Sequence, residues 1–270
     1  MSTIELLALG AVLLIGIPHG GLDAVIARRH GWPMSFPAWA SFHLLYLFLA
    51  LLVILLWQQL PLLTLGSFLI ISGIHFARSD CDPITHPRRI SLIAHGGLVP
   101  IAIPYAQANQ VQPIFTLLVG ETNTLVLLNI VQLLLLPWVI CVALYGYHAL
   151  RDALIRKAFF ALVGLIIAAL VFPPLVTFAL YFCILHSPRH MRSTFAKLSL
   201  HERKRGIIEM IVYSIIAIMA IVIGAIYFQN DMQLGSKLIQ FSFIGIAALT
   251  VPHMLLVDYG AVSKMRFAKW

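Results

Sequence analysis

Apolar positions run along this chain in long blocks, and polar positions collect in the short segments between them. "IELLALGAVLLIGI", "LVLLNIVQLLLLPWVICVALYGY" and "MIVYSIIAIMAIVIGAIYF" are the clearest blocks. A helix that crosses the hydrocarbon of a bilayer needs roughly 20 mostly apolar residues. The pattern predicts spans at about 4–27, 36–57, 62–77, 90–106, 123–150, 207–228 and 237–258. Residues 158–186 are harder to place because "VFPPLV" interrupts them. They read either as one long kinked helix or as two short helices that turn at Pro173 and Pro174.

Composition agrees with the pattern. Of 270 residues, 61% are hydrophobic and only 10% charged, whereas a soluble domain carries about 25% charged residues. The predicted fold is therefore all-α: a polytopic membrane helical bundle of about eight to nine segments, forming a single integral-membrane domain over residues 1–270. The first block lacks a basic leader and a small-residue cleavage site, so it reads as the first span and not as a signal peptide. The loop around 107–122 is nearly uncharged, and its Pro113 and Gly120 predict a surface-lying turn.

Charge decides how the segments thread. Basic residues concentrate on the cytoplasmic side of membrane proteins. With a turn at the two prolines and the N-terminus outside, the inside loops collect Arg28 and Arg29; Arg78, Arg88 and Arg89; Arg151, Arg156 and Lys157; Arg189, Arg192, Lys197, Arg203, Lys204 and Arg205; and Lys264, Arg266 and Lys269. Seventeen of the 18 Lys and Arg residues then lie inside, and only Lys237 lies outside. One long helix would instead place the six-charge loop at 187–206 outside. Nine segments with a cytoplasmic C-terminus follow, two of them short. The net charge of +8 is explained in this way. No nucleic-acid motif accompanies it, so no nucleic-acid partner is expected. Cys81, Cys141 and Cys183 are far apart and show no paired spacing, which indicates neither a disulfide framework nor a zinc knuckle.

Eleven histidines are many for so apolar a chain. His30, His86 and His201 fall in basic loops and read as solvated. His19, His43, His75, His95, His148, His186, His190 and His253 all fall toward the cytoplasmic side of their segments, under a topology that the charges alone selected. Ionisable groups within spans face the bundle interior and mark functional sites, and neutral imidazole is the commonest ligand of zinc, copper, iron and nickel. The bland readings stand beside this one. His43 and His148 suit helix ends, where they snorkel or cap. His95, next to Gly96 and Gly97, suits packing with one hydrogen bond. His186 and His190 share a helix face by spacing, unless Pro188 breaks the helix between them. Pro18, Gly20 and Gly21 flank His19, and Pro252 precedes His253. The prolines predict broken helices, and the glycines predict close approach of a backbone or ligand or ordinary small-residue packing. Asp23, four after His19, and Asp258, five after His253, are candidate carboxylates for orienting an imidazole; both also suit plain interfacial charges.

Five segments carry a resemblance: "GIPHGGLD", "SGIHFARSD", "GGLVPIAIP", "LYFCILHSPRHM" and "VPHMLLVD". They closely resemble the signature segments of the Brp/Blh family, bacterial and archaeal membrane enzymes that cleave β-carotene to retinal. The matches spread from Pro18 to Asp258. "HSPRH" after "YF" is the specific signal; the glycine motifs alone are not. The resemblance implies an iron-dependent β-carotene 15,15'-dioxygenase with Fe(2+) held by His19, His75, His186 and His190. By their own positions, His253, His95 and Asp23 are candidates for an additional ligand or a supporting group. It implies cleavage of the central double bond by O2 into two all-trans-retinal molecules, with no external reductant if both oxygen atoms enter the products. β-Carotene reaches such an enzyme from the lipid bilayer. Phe76, Tyr181 and Phe182, near the proposed ligands, are candidates to line its tunnel, with ordinary helix packing as the alternative. The retinal product implies a functional link to a retinal-binding rhodopsin.

Rival classes predict other patterns. A rhodopsin itself needs a lysine inside its last helix, and residues 238–258 hold none. A di-iron desaturase needs tighter histidine clusters than one HxxxH. A histidine-lined metal or proton transporter is the alternative from another class. It predicts polar residues along a whole membrane path, whereas these histidines gather at one depth.

Overall fold

The computed structural model describes residues 2–81, 88–227 and 233–259. His86, Lys264, Arg266 and Lys269 lie outside the described residues. Within them every regular element is a helix. In chain order these are α1 (Thr3–Arg29), α2 (Phe36–Gln59), α3 (Pro61–Asp80), α4 (Arg88–Ala106), α5 (Ala108–Val119), α6 (Glu121–Arg151) and α7 (Ala153–Val171). A helical run over residues 174–195 follows as α8, then α9 (Leu200–Tyr227) and α10 (Leu234–Asp258). Seven of the described helices are long and apolar enough to cross a membrane, or eight if α4 and α5 count together as one bent span. The protein is thus an all-helical, multi-pass membrane protein. Leucines and isoleucines such as Leu133 on α6 and Ile216 on α9 are exposed, as expected where lipid takes the place of water around the helix.

The prolines at 173 and 174 do mark a turn. Helix α7 ends at Val171, Phe172 and Pro173 are extended, and Pro174 opens α8 at the first helical position, where its missing N–H has no helical acceptor to lose. Two expectations need correction. Residues 108–119 form helix α5, with Pro113 inside it, instead of a surface turn. This helix meets α4 at a bend of 107° and stops at Gly120, whose φ of +83° suits glycine. Pro188 does not break the chain between His186 and His190. Residues 180–186 are π-helical, and the α-helix resumes at Ser187 with Pro188 in its first turn, where the ring is tolerated.

The chain forms two compact units. Unit 1 comprises Met1–Leu9 and Pro61–His186; unit 2 comprises Gly10–Leu60 and Ser187–Trp270. Glycines set the helix packing within each. In unit 1, a Cβ on Gly73 of α3 would lie 2.6 Å from the Gly96 carbonyl of α4, and one on Gly96 would lie 2.9 Å from the Gly73 carbonyl. The two backbones touch, so α3 and α4 carry His75 and His95 on closely apposed helices. The Trp138 indole of α6 covers Gly97 and donates from Nε1 to the Ala94 carbonyl at 3.0 Å. In unit 2, α9 crosses the segment that follows His19, and a Cβ on Gly21 would fall 2.7 Å from the Met210 carbonyl. Small residues that let backbones meet are the usual means of helix association in lipid.

Candidate metal and substrate site

Irregular helix lies at or beside His19, His186 and His253, whereas His75 sits in the regular α-helix of α3. In α1, residues 12–16 are π-helical and 17–22 are 3₁₀-helical, and His19 lies in the second stretch. In α8, His186 closes the π stretch 180–186. In α10, His253 precedes the π stretch 255–259 and follows Pro252. Pro18 and Pro252 each lack the N–H that an α-helix needs at their positions, and non-α turns of this kind recur at functional sites. The freed polar groups find partners nearby: the Ser187 hydroxyl donates to the Ile15 carbonyl at 3.1 Å.

Unit 2 gathers His19, His190 and His253. Their ring centres form a triangle with sides of 5.1 Å (His19–His253), 5.3 Å (His190–His253) and 5.6 Å (His19–His190). His19 and His253 are buried and His190 is half-buried. Nδ1 of His19 lies 2.5 Å from the Gly16 carbonyl oxygen. A carbonyl only accepts, so the proton sits on Nδ1 and the lone pair on Nε2. Nδ1 of His253 donates to Asp23 Oδ1 at 2.7 Å, which selects the same tautomer. Asp23 is thus a carboxylate that orients an imidazole, and the imidazole is His253. The spacing had put forward His19, its neighbour in sequence. The other oxygen of Asp23 accepts from the Tyr46 hydroxyl at 2.8 Å. Tyr46 was not foreseen.

Unit 1 gathers His75 and His186, with ring centres 5.2 Å apart and both rings buried. Phe76, Tyr181 and Phe182 enclose His186. Its ring lies 4.7 Å from Phe76 at a steep angle, 5.6 Å from Phe182 in a near-parallel stack, and 6.2 Å from Tyr181. All three aromatics are buried. Tyr181 donates to Asp80 Oδ2 at 2.7 Å, tying the π stretch of α8 to the end of α3. Asp80 was also missed, although a carboxylate closing an apolar span is the kind of residue that marks a site. The same carboxylate lies 3.9 Å from His95 Nδ1, and His95 packs edge-on against Tyr145 at 5.5 Å. His95 therefore lies between Asp80 and Tyr145.

His30, expected to be solvated, is half-buried, at the turn that ends α1. His43 donates from Nδ1 to the Trp39 carbonyl at 2.8 Å, and its Nε2 accepts from the Tyr213 hydroxyl at 2.8 Å. With both nitrogens engaged, no lone pair is left for a metal. His148 is half-buried and meets the Tyr147 ring at 5.7 Å, and His201 is exposed. Asp258 lies within the π stretch that ends α10 and is half-buried.

The donor chemistry of these groups suits a first-row metal: they are imidazoles, all but His190 buried, two of them with Nδ1 fixed by an acceptor as metal-bound histidines usually are. Among the described residues, no three His, Cys, Asp or Glu side chains already stand so as to hold a metal ion. The backbone therefore brings the rings to neighbouring positions, while the ring orientations are not closed on a common point.

Histidines gathered inside a multi-pass helical membrane protein mark a functional site within its spans. Comparison with known proteins gives the family. The chain belongs to the β-carotene 15,15'-dioxygenase family, whose model matches residues 10–259. A protein of uncultured marine bacterium 66A03, named β-carotene 15,15'-dioxygenase, is 38% identical over 264 residues, covering 96% of this chain and 94% of that protein. The chain is accordingly an enzyme of this family. No solved structure matches it.

Proposed function

We propose that this chain cleaves β-carotene at its 15,15' double bond with O2, giving two molecules of all-trans-retinal, and that it uses Fe(2+) held by His19, His75, His186 and His190. The observation that carries the reading is the fixed tautomer of His19, on a membrane scaffold of this family: its Nδ1 is tied to the Gly16 carbonyl, so a neutral Nε2 is available as a donor. Bound iron supplies activation of dioxygen. Neutral imidazoles add no negative charge, which leaves the site cationic.

The chain's own residues do the rest. The Gly16 carbonyl holds the His19 ring in one tautomer. Phe76, Tyr181 and Phe182 wall the His186 ring and exclude water from it; they are suited to lie along an apolar polyene. The substrate is a long hydrocarbon that dissolves in the bilayer, and a membrane enzyme takes it from lipid without a transfer through water. Which double bond is cut then depends on where the aromatic wall holds the polyene relative to the imidazoles, a positioning effect. The plasma (inner) membrane is the proposed location, and a retinal-binding rhodopsin is the natural consumer of the product.

The test is expression in a β-carotene-producing bacterium, with retinal measured by chromatography and iron measured in the purified protein. The expected result is loss of orange colour, accumulation of retinal and bound iron. Orange cells without retinal, despite iron in the protein, overturn the reading and favour a metal carrier. Alanine at His19, His75, His186 or His190 is expected to remove both iron and retinal formation; a variant that keeps both removes that residue from the ligand set.

A further inference from the structure

His253 has surroundings that a packing histidine does not need. It is 3% exposed, and Asp23 beside it is 4% exposed. Burying a carboxylate costs several kcal/mol unless its oxygens are bonded. Both oxygens here are: Oδ1 accepts from His253 Nδ1 at 2.7 Å and Oδ2 from the Tyr46 hydroxyl at 2.8 Å. That hydroxyl also lies 3.1 Å from the Leu249 carbonyl, one turn before His253 on α10. Tyr46 on α2, Asp23 on α1 and His253 on α10 form one hydrogen-bonded chain across three helices. It ends on an imidazole whose lone pair is on Nε2.

Ring spacing tests whether that nitrogen suits a metal shared with its neighbours. A ring bound through nitrogen at about 2.1 Å has its centre about 3.2 Å from the metal, so two such rings near the tetrahedral angle have centres about 5.2 Å apart. The observed 5.1, 5.3 and 5.6 Å fit this spacing. The rings stand at a metal-compatible spacing, although among the described residues no three such side chains already converge on one point.

We propose that His253 is a metal ligand together with His19 and His190, and that Asp23 and Tyr46 are positioning residues that orient it. This rests on the reading of the chain as an iron enzyme and adds a donor to it. The carboxylate raises the basicity of the imidazole and fixes its tautomer; the tyrosine fixes the carboxylate.

The experiment uses the full chain purified in detergent and loaded anaerobically with Fe(2+). Iron affinity is read by competition with a chelator, cobalt-substituted protein gives a visible spectrum, and retinal formation is read separately. His253→Ala is expected to weaken iron binding at least tenfold and to change the cobalt spectrum, with added imidazole restoring both. Asp23→Asn is expected to weaken iron binding about 10- to 100-fold, the effect usual for a group that orients a ligand; Asp23→Glu recovers part of it, and Tyr46→Phe loses only a few-fold. Thermal unfolding of the metal-free proteins separates these effects from misfolding. Wild-type iron affinity and an unchanged cobalt spectrum in His253→Ala overturn the inference. So does a loss that imidazole does not restore. Either result leaves the proposed function standing if the wild type holds iron and makes retinal. A wild-type protein that retains no iron overturns both.

Discussion

A Cβ built on Gly21 falls 2.7 Å from a backbone oxygen of Met210, whereas one built on its neighbour Gly20 meets nothing within 4 Å. A carbonyl in a helix cannot step aside as a side chain can. Gly21→Ala is therefore expected to destabilise the protein by about 1–3 kcal/mol, the usual cost of overpacking, and Gly20→Ala to leave unfolding in detergent nearly unchanged. Equal unfolding midpoints for the two variants would contradict the packing. His43 gives a second contrast. Its nitrogens serve Trp39 and Tyr213, so His43→Gln is expected to cost about 1 kcal/mol of stability and to leave bound iron unchanged; iron lost from a well-folded variant would refute this. The sequence could place a carboxylate near an imidazole only by adjacency, and adjacency offered Asp23 to His19. The actual partner, His253, is 230 positions away. Tertiary contacts of that range leave no mark on a single sequence, and for this reason Tyr46 and Asp80 were also missed.

Helices here are irregular at His19, at His186 and just after His253. The proline positions were legible: Pro173 and Pro174 disrupt an apolar run, and the chain does turn there. The π stretch 180–186 was not legible, because it depends on which carbonyls each N–H finds once the helix is packed. Helix α5 was hidden for a related reason: Pro113 and Gly120 look like turn residues, yet one is tolerated inside the helix and the other ends it. A π turn bonds each residue to the fifth along instead of the fourth, so the stretch holds an extra residue relative to an α-helix. Removing Ile184, which is exposed, lets α8 revert to α geometry. With that extra residue gone, His186 keeps nearly the face it has now, because six steps of π turn and five of α turn sweep about the same angle. The deletion variant is expected to keep its helical content by circular dichroism and to keep bound iron. Loss of iron from a well-folded variant would show that the π geometry itself positions His186.

Threading through the membrane is a property of the whole molecule, and α8 is where it is decided. Among the described residues, seven helices or eight qualify as spans by length and composition alone, and α8 is not among them. Its second half carries Arg189, Arg192 and, just beyond it, Lys197, Arg203, Lys204 and Arg205. If α8 enters and returns on one side, that basic loop lies outside; if α8 crosses, the loop lies in the cytoplasm. The positive-inside rule favours crossing, which makes nine segments with the N-terminus outside. Both arrangements can be distinguished with single cysteines placed in a variant lacking Cys81, Cys141 and Cys183. Ser199 and Gln110 are exposed, and a cysteine at either is open to an impermeant maleimide added to intact spheroplasts. Label at position 110 from outside, and at position 199 only after permeabilisation, is the expected pattern. Label at position 199 in intact spheroplasts would mean that α8 is re-entrant. The distinction bears on catalysis: every buried histidine assigned to the site falls toward the cytoplasmic side only in the nine-segment threading, and a β-carotene drawn from lipid would then have to place its middle at that depth.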